Sequence, residues 1–318
     1  MESAAIGIDL GATKIAAALV AGTGEVLAAR TLPTSPGEGT QAVLDRMASL
    51  ANELGTEAAR RPVNLLGIGI GSPGVVNAAT GTVQNAVNLG WHKVNLADEL
   101  KVRLKQSLPV WVHKDGNASA IGEYVFGAAR GCTDFLYLTI GTGLGGGLFA
   151  GGQLITGAND NATELGHISL DPQGRECVCG LRGCAETVLS GYGLVALYES
   201  KLMAGTAAVT RGPGLISTAA IIEAAKENDL CALEALAEMG RQLGIVIAFC
   251  AAVTNPSLVV IGGGLGLAIF EQVMPRAKME LQTRVLKASH AGLKIVPSQQ
   301  SSSAVGAASL VWYFTERR

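Results

Sequence analysis

The chain has 318 residues, which favours two domains of ordinary size over a single hydrophobic core. With 24 basic and 26 acidic residues it is nearly neutral, and no Lys/Arg run gives the footprint of a nucleic-acid-binding surface. The longest apolar runs, such as 244–253, are far shorter than the roughly twenty residues of a membrane-spanning helix. The sequence also begins without a secretory signal, so we expect a cytoplasmic protein that binds small molecules, not nucleic acid or membrane.

Four short β-rich runs end in glycines, at 5–14, 65–74, 136–147 and 258–266. Glycine adopts backbone angles that a side chain forbids and lets a ligand approach the main chain closely. Four such turns predict a cleft lined by ligand-binding loops.

A weak internal repeat relates the first and third of these runs. An offset of 130 residues places Gly11 on Gly141 and Gly22 on Gly152. Both segments are typical of three-stranded meanders joined by glycine-containing turns. Coincidence in a chain with 42 glycines is the alternative interpretation.

Helical patterns follow each meander, at 39–60 in the first half and at 217–229 and 233–256 in the second. The last is nearly continuously apolar in its second half and stops at Asn255-Pro256, which predicts a buried core helix. Strands that lead and helices that follow in both halves indicate an α/β protein with two related domains.

The predicted domain boundary lies between Asp115 and Gly122. We expect a small N-terminal α/β domain at 1–117 and a larger α/β domain at 118–301. The C-terminal segment 302–318 is expected to pack back on the first domain as a helix.

The segment "DLGATK" combines the chemistry of a phosphate site. Backbone N–H groups of Gly11 and Ala12, the Thr13 hydroxyl and the Lys14 cation follow Asp9, a carboxylate able to hold magnesium. It is not a Walker P-loop, because G-x-x-x-x-G-K-[ST] is absent. A β-hairpin turn with a capping Asp is the alternative.

Two further glycine loops favour a nucleotide site. Gly141, Thr142 and Gly143 offer N–H donors and a hydroxyl to a terminal phosphate, and Gly262–Gly264 would leave room for a base or ribose. Together with "DLGATK", they predict that the chain binds a nucleotide.

A cluster of soft ligands lies in the segment 164–186. His167, Cys177, Cys179 and Cys184 form a C-x-C-x₄-C pattern with one upstream histidine. These are the ligand types and number of a closed, tetrahedral structural zinc site, and buried free thiols are the alternative. Cys132, Cys231 and Cys250 lie outside the pattern and are interpreted as packing residues.

Several motifs together resemble the ROK family, which groups sugar kinases with sugar-responsive repressors. They occur in the order "IDLGATK", "GSPGVVN", "KDGNASAIGE", "IGTGLGGG", "ELGH…CVCGLRGCAE" and "VVIGGGLG" and cover about residues 5–310. The resemblance implies the actin-like, Hsp70-like (ribonuclease H-like) ATPase fold, with two domains built on duplicated βββαβα units and a cleft between them. It also implies the same His-Cys₃ zinc.

The resemblance further implies the residues that handle the sugar. Asp115 matches the general base that takes the proton of the 6-hydroxyl, whereas its structural alternative is a helix N-cap. The other implied sugar contacts are Gly74, Asn88, Glu164, His167 and Glu186. Without the resemblance, the two glutamates would be interpreted as surface charge near the loop.

Two positions depart from the family pattern. Lys114 stands where the family usually has an asparagine that helps to hold the sugar, and lysine donates hydrogen bonds but accepts none. Thr163 stands where a glycine is common. The resemblance therefore does not determine which sugar is preferred, or how fast it reacts, with lysine at position 114.

The expected reaction is phosphoryl transfer from Mg-ATP to the 6-hydroxyl of a hexose, with glucose as the first choice. An N-acetylmannosamine kinase or another hexose kinase is the alternative, followed by a sugar-binding regulator without kinase activity. A DNA-binding repressor fits less well, because the "DxGxT" strand begins without a preceding helix-turn-helix segment and the phosphate loops are intact. The family also implies a homodimer or higher homo-oligomer.

Overall fold

A computed structural model of the chain describes residues 1–203 and 216–315. Contacts divide the chain into two compact units. The first consists of Met1–Thr133, Gly147–Ala162 and the chain from Gln299 onwards, and the second of Asp134–Gly146 and Thr163–Ser298.

Strands precede helices along the N-terminal part of the chain. The strands up to Lys114 are β1 (Glu2–Leu10), β2 (Lys14–Ala21), β3 (Val26–Pro33), β4 (Val63–Ser72), β5 (Val75–Asn77), β6 (Thr82–Ala86), β7 (Trp91–Asn95) and β8 (Val110–Lys114). The helices in this part are α1 (Thr40–Ala59), α2 (Leu96–Lys101) and α3 (Asp115–Val125).

The same alternation follows in the rest of the chain. Its strands are β9 (Phe135–Ile140), β10 (Leu144–Ala150), β11 (Gln153–Leu154), β12 (Leu258–Gly262) and β13 (Lys294–Pro297). Its helices are α4 (Gly191–Met203), α5 (Thr218–Lys226), α6 (Leu230–Thr254), α7 (Gly264–Ala268), α8 (Phe270–Arg284), α9 (Lys287–His290) and α10 (Ser303–Thr315).

Two five-stranded sheets have the same connectivity. Their strand orders are β3-β2-β1-β4-β8 and β11-β10-β9-β12-β13, and a small sheet β5-β6-β7 is added to the first half of the chain. The first strand of each meander pairs in parallel with a later strand, β1 with β4 and β9 with β12. The two meanders predicted from the internal repeat are confirmed, and the repeat is not a coincidence of composition.

The predicted helical segments are also confirmed. Helix α1 places Val43, Leu44, Met47 and Leu54 on one buried side, as its apolar period predicts. Helix α6 begins after an Asp229 N-cap whose side chain accepts from the N–H of Ala232, and it ends where Asn255 adopts a left-handed conformation, φ 44°.

Helix α6 is the core helix of the second unit. By length and average composition it is apolar enough to cross a membrane, although its uninterrupted apolar run at 244–253 is far shorter than a membrane span. About two thirds of its most apolar window, 67%, is buried within the protein, as expected of a core helix.

The first unit continues past the boundary expected at residue 117. Helix α3 and the chain up to Thr133 belong by contacts to this unit, because α3 packs against α10 and against β4. Helix α10 lies on β1, β2 and β4. The division into domains at 1–117 and 118–301 stays a prediction.

Glycines let α10 lie directly on the sheet of the first unit. A Cβ at Gly7 of β1 would overlap the carbonyl oxygen of Ala304 and the amide nitrogen of Ala308, and a Cβ at Gly69 of β4 would overlap the carbonyl oxygen of Ala307. The buried side chains of α10 therefore pack against strand backbones and not only against side chains.

Replacing one of these glycines should destabilise the first unit. We expect Gly7→Ala to lower the free energy of unfolding by about 1–3 kcal/mol or more, because the added methyl group has no space. The matched control is Gly37→Ala, since nothing lies within 4 Å of a Cβ at Gly37. Urea denaturation checks both variants, and equal stability of the two would contradict the packing described here.

Candidate functional site

The turn between β1 and β2 is held by backbone hydrogen bonds. The N–H of Gly11 donates to the carbonyl of Lys14 at 3.0 Å, and the buried Thr34 hydroxyl donates to the carbonyl of Gly11 at 2.7 Å. The N–H of Thr34 donates to the carbonyl of Thr13 at 3.0 Å. Thr34 was missed in the sequence, since nothing in its segment marks it as a support for the turn.

Asp9 lies at the carboxyl end of β1, just before this turn. Desolvation raises the pKa of Asp9, while the hydroxyl of Ser303 and the charge of Lys14 act in the opposite direction. The Ser303 hydroxyl donates to Oδ2 of Asp9 across nearly the whole length of the sequence. No motif in the sequence pointed to Ser303.

Asp9 and Asp115 lie on either side of Gly71. Strand β4 pairs in parallel with β1, matching Gly71 with Asp9, and with β8, whose last residue precedes Asp115. A Cβ at Gly71 would lie 3.5 Å from Cα of Asp115 and 3.9 Å from Oδ1 of Asp9. Carboxyl ends of parallel strands are the usual place for ligands in α/β sheets, and both carboxylates lie there.

Asp115 is the first residue of α3, and its side chain is exposed. The N–H of Gly116 donates to its Oδ1 at 2.7 Å. Asp115 thus contacts the helix N-terminus from inside the first turn, where the helix dipole favours a negative charge. The N-cap position belongs to Lys114, which makes no side-chain capping bond, so the N-cap interpretation of Asp115 is wrong.

Lys114 is buried at the end of β8, with 7% of its surface exposed. It pairs in register with Ser72 of β4. Gly74 follows in an exposed turn with φ 84°, and a Cβ there would overlap the carbonyl oxygen of Asn85. Asn88 is exposed in a short 3₁₀ helix after β6.

The turn between β9 and β10 in the second unit corresponds to the Asp9 turn in the first. The N–H of Gly141 donates to the carbonyl of Gly143 at 2.9 Å, and the N–H of Gly191 donates to the carbonyl of Gly141 at 2.8 Å. Thr142 lies exposed at its tip. The two hydrogen bonds hold the turn in place, and the Thr142 hydroxyl at its tip is accessible to solvent.

Glu186 contacts this same loop. Its Oε2 accepts from the N–H of Leu144 at 2.9 Å, and its Oε1 accepts from the hydroxyl of Tyr192 at 3.2 Å. Desolvation, followed by the charge of Glu186, raises the pKa of Tyr192. Tyr192 was missed in the sequence, where it is an ordinary residue at the start of α4.

The third glycine loop connects β12 to α7. Gly263 adopts φ 81° and precedes the first helical residue, Gly264. A Cβ at Gly262 would overlap the Tyr137 hydroxyl, whereas nothing lies within 4 Å of a Cβ at Gly264. The loop thus has close contacts on its strand side and open space on its helix side.

The cysteine loop brings its predicted ligands together. The ligand atoms of His167, Cys177, Cys179 and Cys184 all lie within 4.8 Å of one another. Nδ1 of His167 is 3.8 Å from Sγ of Cys177, and Sγ of Cys179 is 3.7 Å from Sγ of Cys184.

These distances fit a tetrahedral zinc ion. Zinc–sulfur bonds of about 2.3 Å separate two sulfur ligands by about 3.8 Å. Desolvation, with the adjoining thiols of Cys179 and Cys177, raises the pKa of Cys184 to about 12. A thiolate at Cys184 therefore needs a cation beside it, and the donor set matches the one that zinc prefers.

The segment before His167 contains the second departure from the family pattern. Thr163 has φ 64°, a left-handed conformation that glycine adopts without strain and a β-branched residue rarely adopts. Its hydroxyl donates to the carbonyl of Gly146 at 3.1 Å. Glu164 follows, and its carbonyl accepts from the N–H of His167 at 3.0 Å.

The predicted residues thus form two sets. The first unit holds Asp9, Gly11, Ala12, Thr13, Lys14, Gly74, Asn88, Lys114 and Asp115. The second unit holds Gly141, Thr142, Gly143, Glu164, His167, Cys177, Cys179, Cys184, Glu186, Gly262, Gly263 and Gly264.

Comparisons with known proteins support the motif resemblance. A glucokinase from Halalkalibacterium halodurans is 35% identical over 272 residues, which are 83% of this chain and 81% of that protein. The crystal structure of a ROK family glucokinase from Streptomyces griseus, in complex with glucose and AMPPNP, has a TM-score of 0.81 and 32% identity, covering 97% of this chain and 99% of that chain.

A regulator is also similar in structure. A ROK family transcriptional regulator, a homologue of the E. coli MLC protein, has a TM-score of 0.86 and 28% identity, covering 97% of this chain and 77% of that chain. The predicted α/β, two-domain actin-like fold is confirmed by these similarities.

The family model described as "ROK family" matches residues 5–313, nearly the whole of the described chain. The two strand meanders, the glycine loops and the His-Cys₃ cluster lie within that range. The chain belongs to the ROK family.

Proposed function

We propose that this chain is a hexose kinase that transfers the γ-phosphoryl group of ATP to the 6-hydroxyl of glucose. The observation that carries this proposal is the pair of carboxylates, Asp9 and Asp115, on either side of Gly71 at the carboxyl ends of β1 and β8. The similarity to glucokinases, one of them crystallised with glucose and AMPPNP, supports the sugar and the nucleotide.

Asp115 is proposed as the general base. Its carboxylate accepts the proton of the sugar 6-hydroxyl while that oxygen forms a bond to the γ-phosphorus. The bond from phosphorus to the bridging oxygen breaks, and ADP leaves with the electron pair. Its exposed position at the start of α3 supports access of a bound hydroxyl to the carboxylate.

The nucleotide residues come from both turns and the third glycine loop. Gly11, Ala12, Thr13 and Lys14 would contact phosphate oxygens, as would Gly141, Thr142 and Gly143. Gly262, Gly263 and Gly264 would lie against the ribose or base, and Asp9 would hold a magnesium ion that neutralises phosphate charge. Burial of Asp9 favours such a role, since a nearby cation offsets its desolvation.

The sugar residues are proposed from the family resemblance. Gly74, Asn88 and Lys114 would contact the hexose from the first set, and Glu164, His167 and Glu186 from the second. Glu186 already accepts two hydrogen bonds, one on each oxygen. Each carboxylate oxygen has a second lone pair for a sugar hydroxyl, so the contact to the loop and the contact to the sugar are compatible.

His167, Cys177, Cys179 and Cys184 are proposed to hold a structural zinc ion. The sulfur and nitrogen distances support this assignment. With Nδ1 of His167 directed at the sulfurs, its other ring nitrogen is fixed as a hydrogen-bond donor suited to a sugar hydroxyl. Zinc would supply rigidity to the loop that precedes Glu186.

Two alternative functions differ from a glucose kinase in which sugar is phosphorylated, or in whether any is. An N-acetylmannosamine or other hexose kinase would use the same residues on a different sugar. A regulator would bind sugar without turnover, and its support is the similarity to the ROK transcriptional regulator. Intact phosphate turns and an accessible Asp115 favour a kinase.

We also propose a cytoplasmic, homo-oligomeric enzyme. None of the six cysteines forms a disulfide in the described part of the chain, which suits a reducing compartment. Phe249 and Val253, one turn apart on α6, are 50% and 82% exposed, and such apolar side chains support contact with a second copy. Light scattering in solution would reveal a mass above that of the monomer.

Replacing Asp115 should abolish most of the kinase activity. We expect Asp115→Asn to lower kcat for glucose by about 10²- to 10⁴-fold with little change in KM, because an amide cannot accept the proton. The control is Asp45→Asn, an exposed carboxylate of the same unit that pairs with Arg103. A coupled assay for ADP release measures both, and full activity of Asp115→Asn would remove the proposed base.

Lys114 should determine sugar preference. We expect Lys114→Asn to raise kcat/KM for glucose by about 2- to 10-fold. An amide can accept a hydrogen bond from the sugar as well as donate one, whereas lysine only donates, and one added hydrogen bond is worth about 0.5–1.5 kcal/mol. The assay compares glucose, mannose, N-acetylmannosamine, N-acetylglucosamine and fructose in both proteins. A wild-type enzyme that ignores glucose but phosphorylates another of these sugars would move the substrate assignment.

The cysteine loop should contain about one zinc ion per chain. We expect Cys179→Ser to lose bound zinc and to unfold at a lower temperature, because structural zinc contributes directly to folding. Cys132→Ser, a cysteine outside the cluster, should keep both the metal and the melting temperature. Elemental analysis with thermal denaturation checks this, and a zinc-free wild type with unchanged stability after chelation would contradict it.

A further inference from the structure

A cavity of about 730 Å³ lies in the first unit, outside the proposed kinase site. It is bordered by the turn after β5, helix α2, strand β8, the segment 153–160 and the end of α10. None of the residues assigned above to sugar, nucleotide or metal lines it. Its volume falls in the range of about 300–1,000 Å³ typical of small-molecule sites.

His113 is a buried polar side chain in the wall of this cavity. It is 5% exposed, and neither ring nitrogen makes a hydrogen bond to any residue in the described part of the chain. Its ring stacks on Phe314, with centroids 4.8 Å apart and an angle of 13° between the planes. A buried imidazole in the wall of a cavity, without a protein partner, needs a partner from a ligand or water.

Asp160 provides the second polar group. Its Oδ2 accepts from the N–H of Ala78 at 3.2 Å, and in the described residues its Oδ1 accepts no hydrogen bond. Asp160 has φ 59°, a left-handed conformation that is uncommon for a side-chain-bearing residue. Aspartate adopts this conformation more readily than most residues, and Asp160 borders the cavity.

Aromatic side chains form another part of the cavity wall, next to His113. Trp111, Tyr313 and Phe314 all line the cavity. Tyr313 meets Phe314 edge-on, with centroids 4.9 Å apart, and its hydroxyl accepts from the N–H of Leu154 at 3.0 Å. A wall of fixed rings offers flat apolar surface to one face of a ligand.

The cavity wall carries one side chain of each charge. Asp160 is the acidic group and Lys101 the basic one, and Lys101 also pairs with Asp98 at 3.0 Å. Desolvation lowers the pKa of His113 to about 4, although the charge of Asp160 opposes this shift, so the imidazole is neutral near pH 7. A neutral lining with both donors and acceptors disfavours a phosphate or an organic cation.

We propose that this cavity is a second binding site for a neutral polyhydroxylated ligand, a carbohydrate of mono- or disaccharide size. The C–H face of a sugar ring would lie on the aromatic wall. Its hydroxyls would bond to Oδ1 of Asp160, to His113 and to the Thr80 and Thr156 side chains that also border the cavity. Carboxylates suit paired hydroxyls, since each oxygen accepts more than one hydrogen bond.

Tryptophan fluorescence of the full chain tests this site without relying on kinase activity. Trp111 is one of three tryptophans in the chain and lies in the cavity wall. We expect maltose to change the fluorescence saturably in the wild type. Asp160→Asn should weaken that binding about tenfold, the effect of losing a charge-assisted hydrogen bond worth about 1.5 kcal/mol.

A second variant separates binding from folding. Ala79→Phe adds a ring at an exposed position of the wall and should block maltose while leaving the melting temperature and glucose turnover unchanged. Asp45→Asn, away from the cavity, should bind maltose as the wild type does.

The outcomes also separate this site from the proposed kinase function. Maltose binding that Asp160→Asn and Ala79→Phe weaken supports the site, whether or not the chain phosphorylates glucose. No fluorescence change with maltose, or a maltose-induced change that both variants retain, overturns it. Saturable binding of inorganic phosphate or tetramethylammonium at the same cavity, lost in Ala79→Phe, would also overturn the assignment to a neutral carbohydrate.

Discussion

The candidate site depends on the parallel pairing of β1, β4 and β8. Parallel neighbours end at the same edge of a sheet, so their last residues meet without any long side chain reaching across. Gly71 lies between Asp9 and Asp115, and its missing side chain leaves space beside both. A Cβ there would make ordinary van der Waals contacts, and a longer side chain would enter the space beside the two carboxylates of the proposed site.

The second meander has the same strand connectivity as the first, but different residues hold its turn in place. Where the first turn is supported by the Thr34 hydroxyl, the second is held by Gly191 and by Glu186, which follows directly after the cysteine cluster. The Glu186 carboxylate therefore links the end of the sulfur-rich loop to the Gly141–Gly143 turn. If the cysteine cluster holds the proposed zinc ion, this connection would let the metal stabilise the Gly141–Gly143 turn through Glu186.

Sequence patterns predicted the features that depend on local geometry. The repeat of Gly11 on Gly141, the helix that stops at Asn255 and the His-Cys₃ spacing all follow from turn and ligand chemistry within short segments. Contacts between residues that are far apart in the sequence leave no such local pattern in it. Ser303 binds Asp9 and Tyr192 binds Glu186 only because the chain folds, and the cavity wall combines β8, 153–160 and α10. The role proposed for Lys114 depends on how a sugar binds beside it, which no sequence pattern describes.

The central claim is that Asp115 receives the proton of the attacking hydroxyl in a hexose kinase. A crystal structure of this chain with glucose and AMPPNP tests it most directly. We expect the sugar O6 to lie within about 2.6–3.2 Å of a carboxylate oxygen of Asp115 and to be directed at the γ-phosphate. A bound glucose whose O6 contacts a different group, with Asp115 facing solvent, would contradict it.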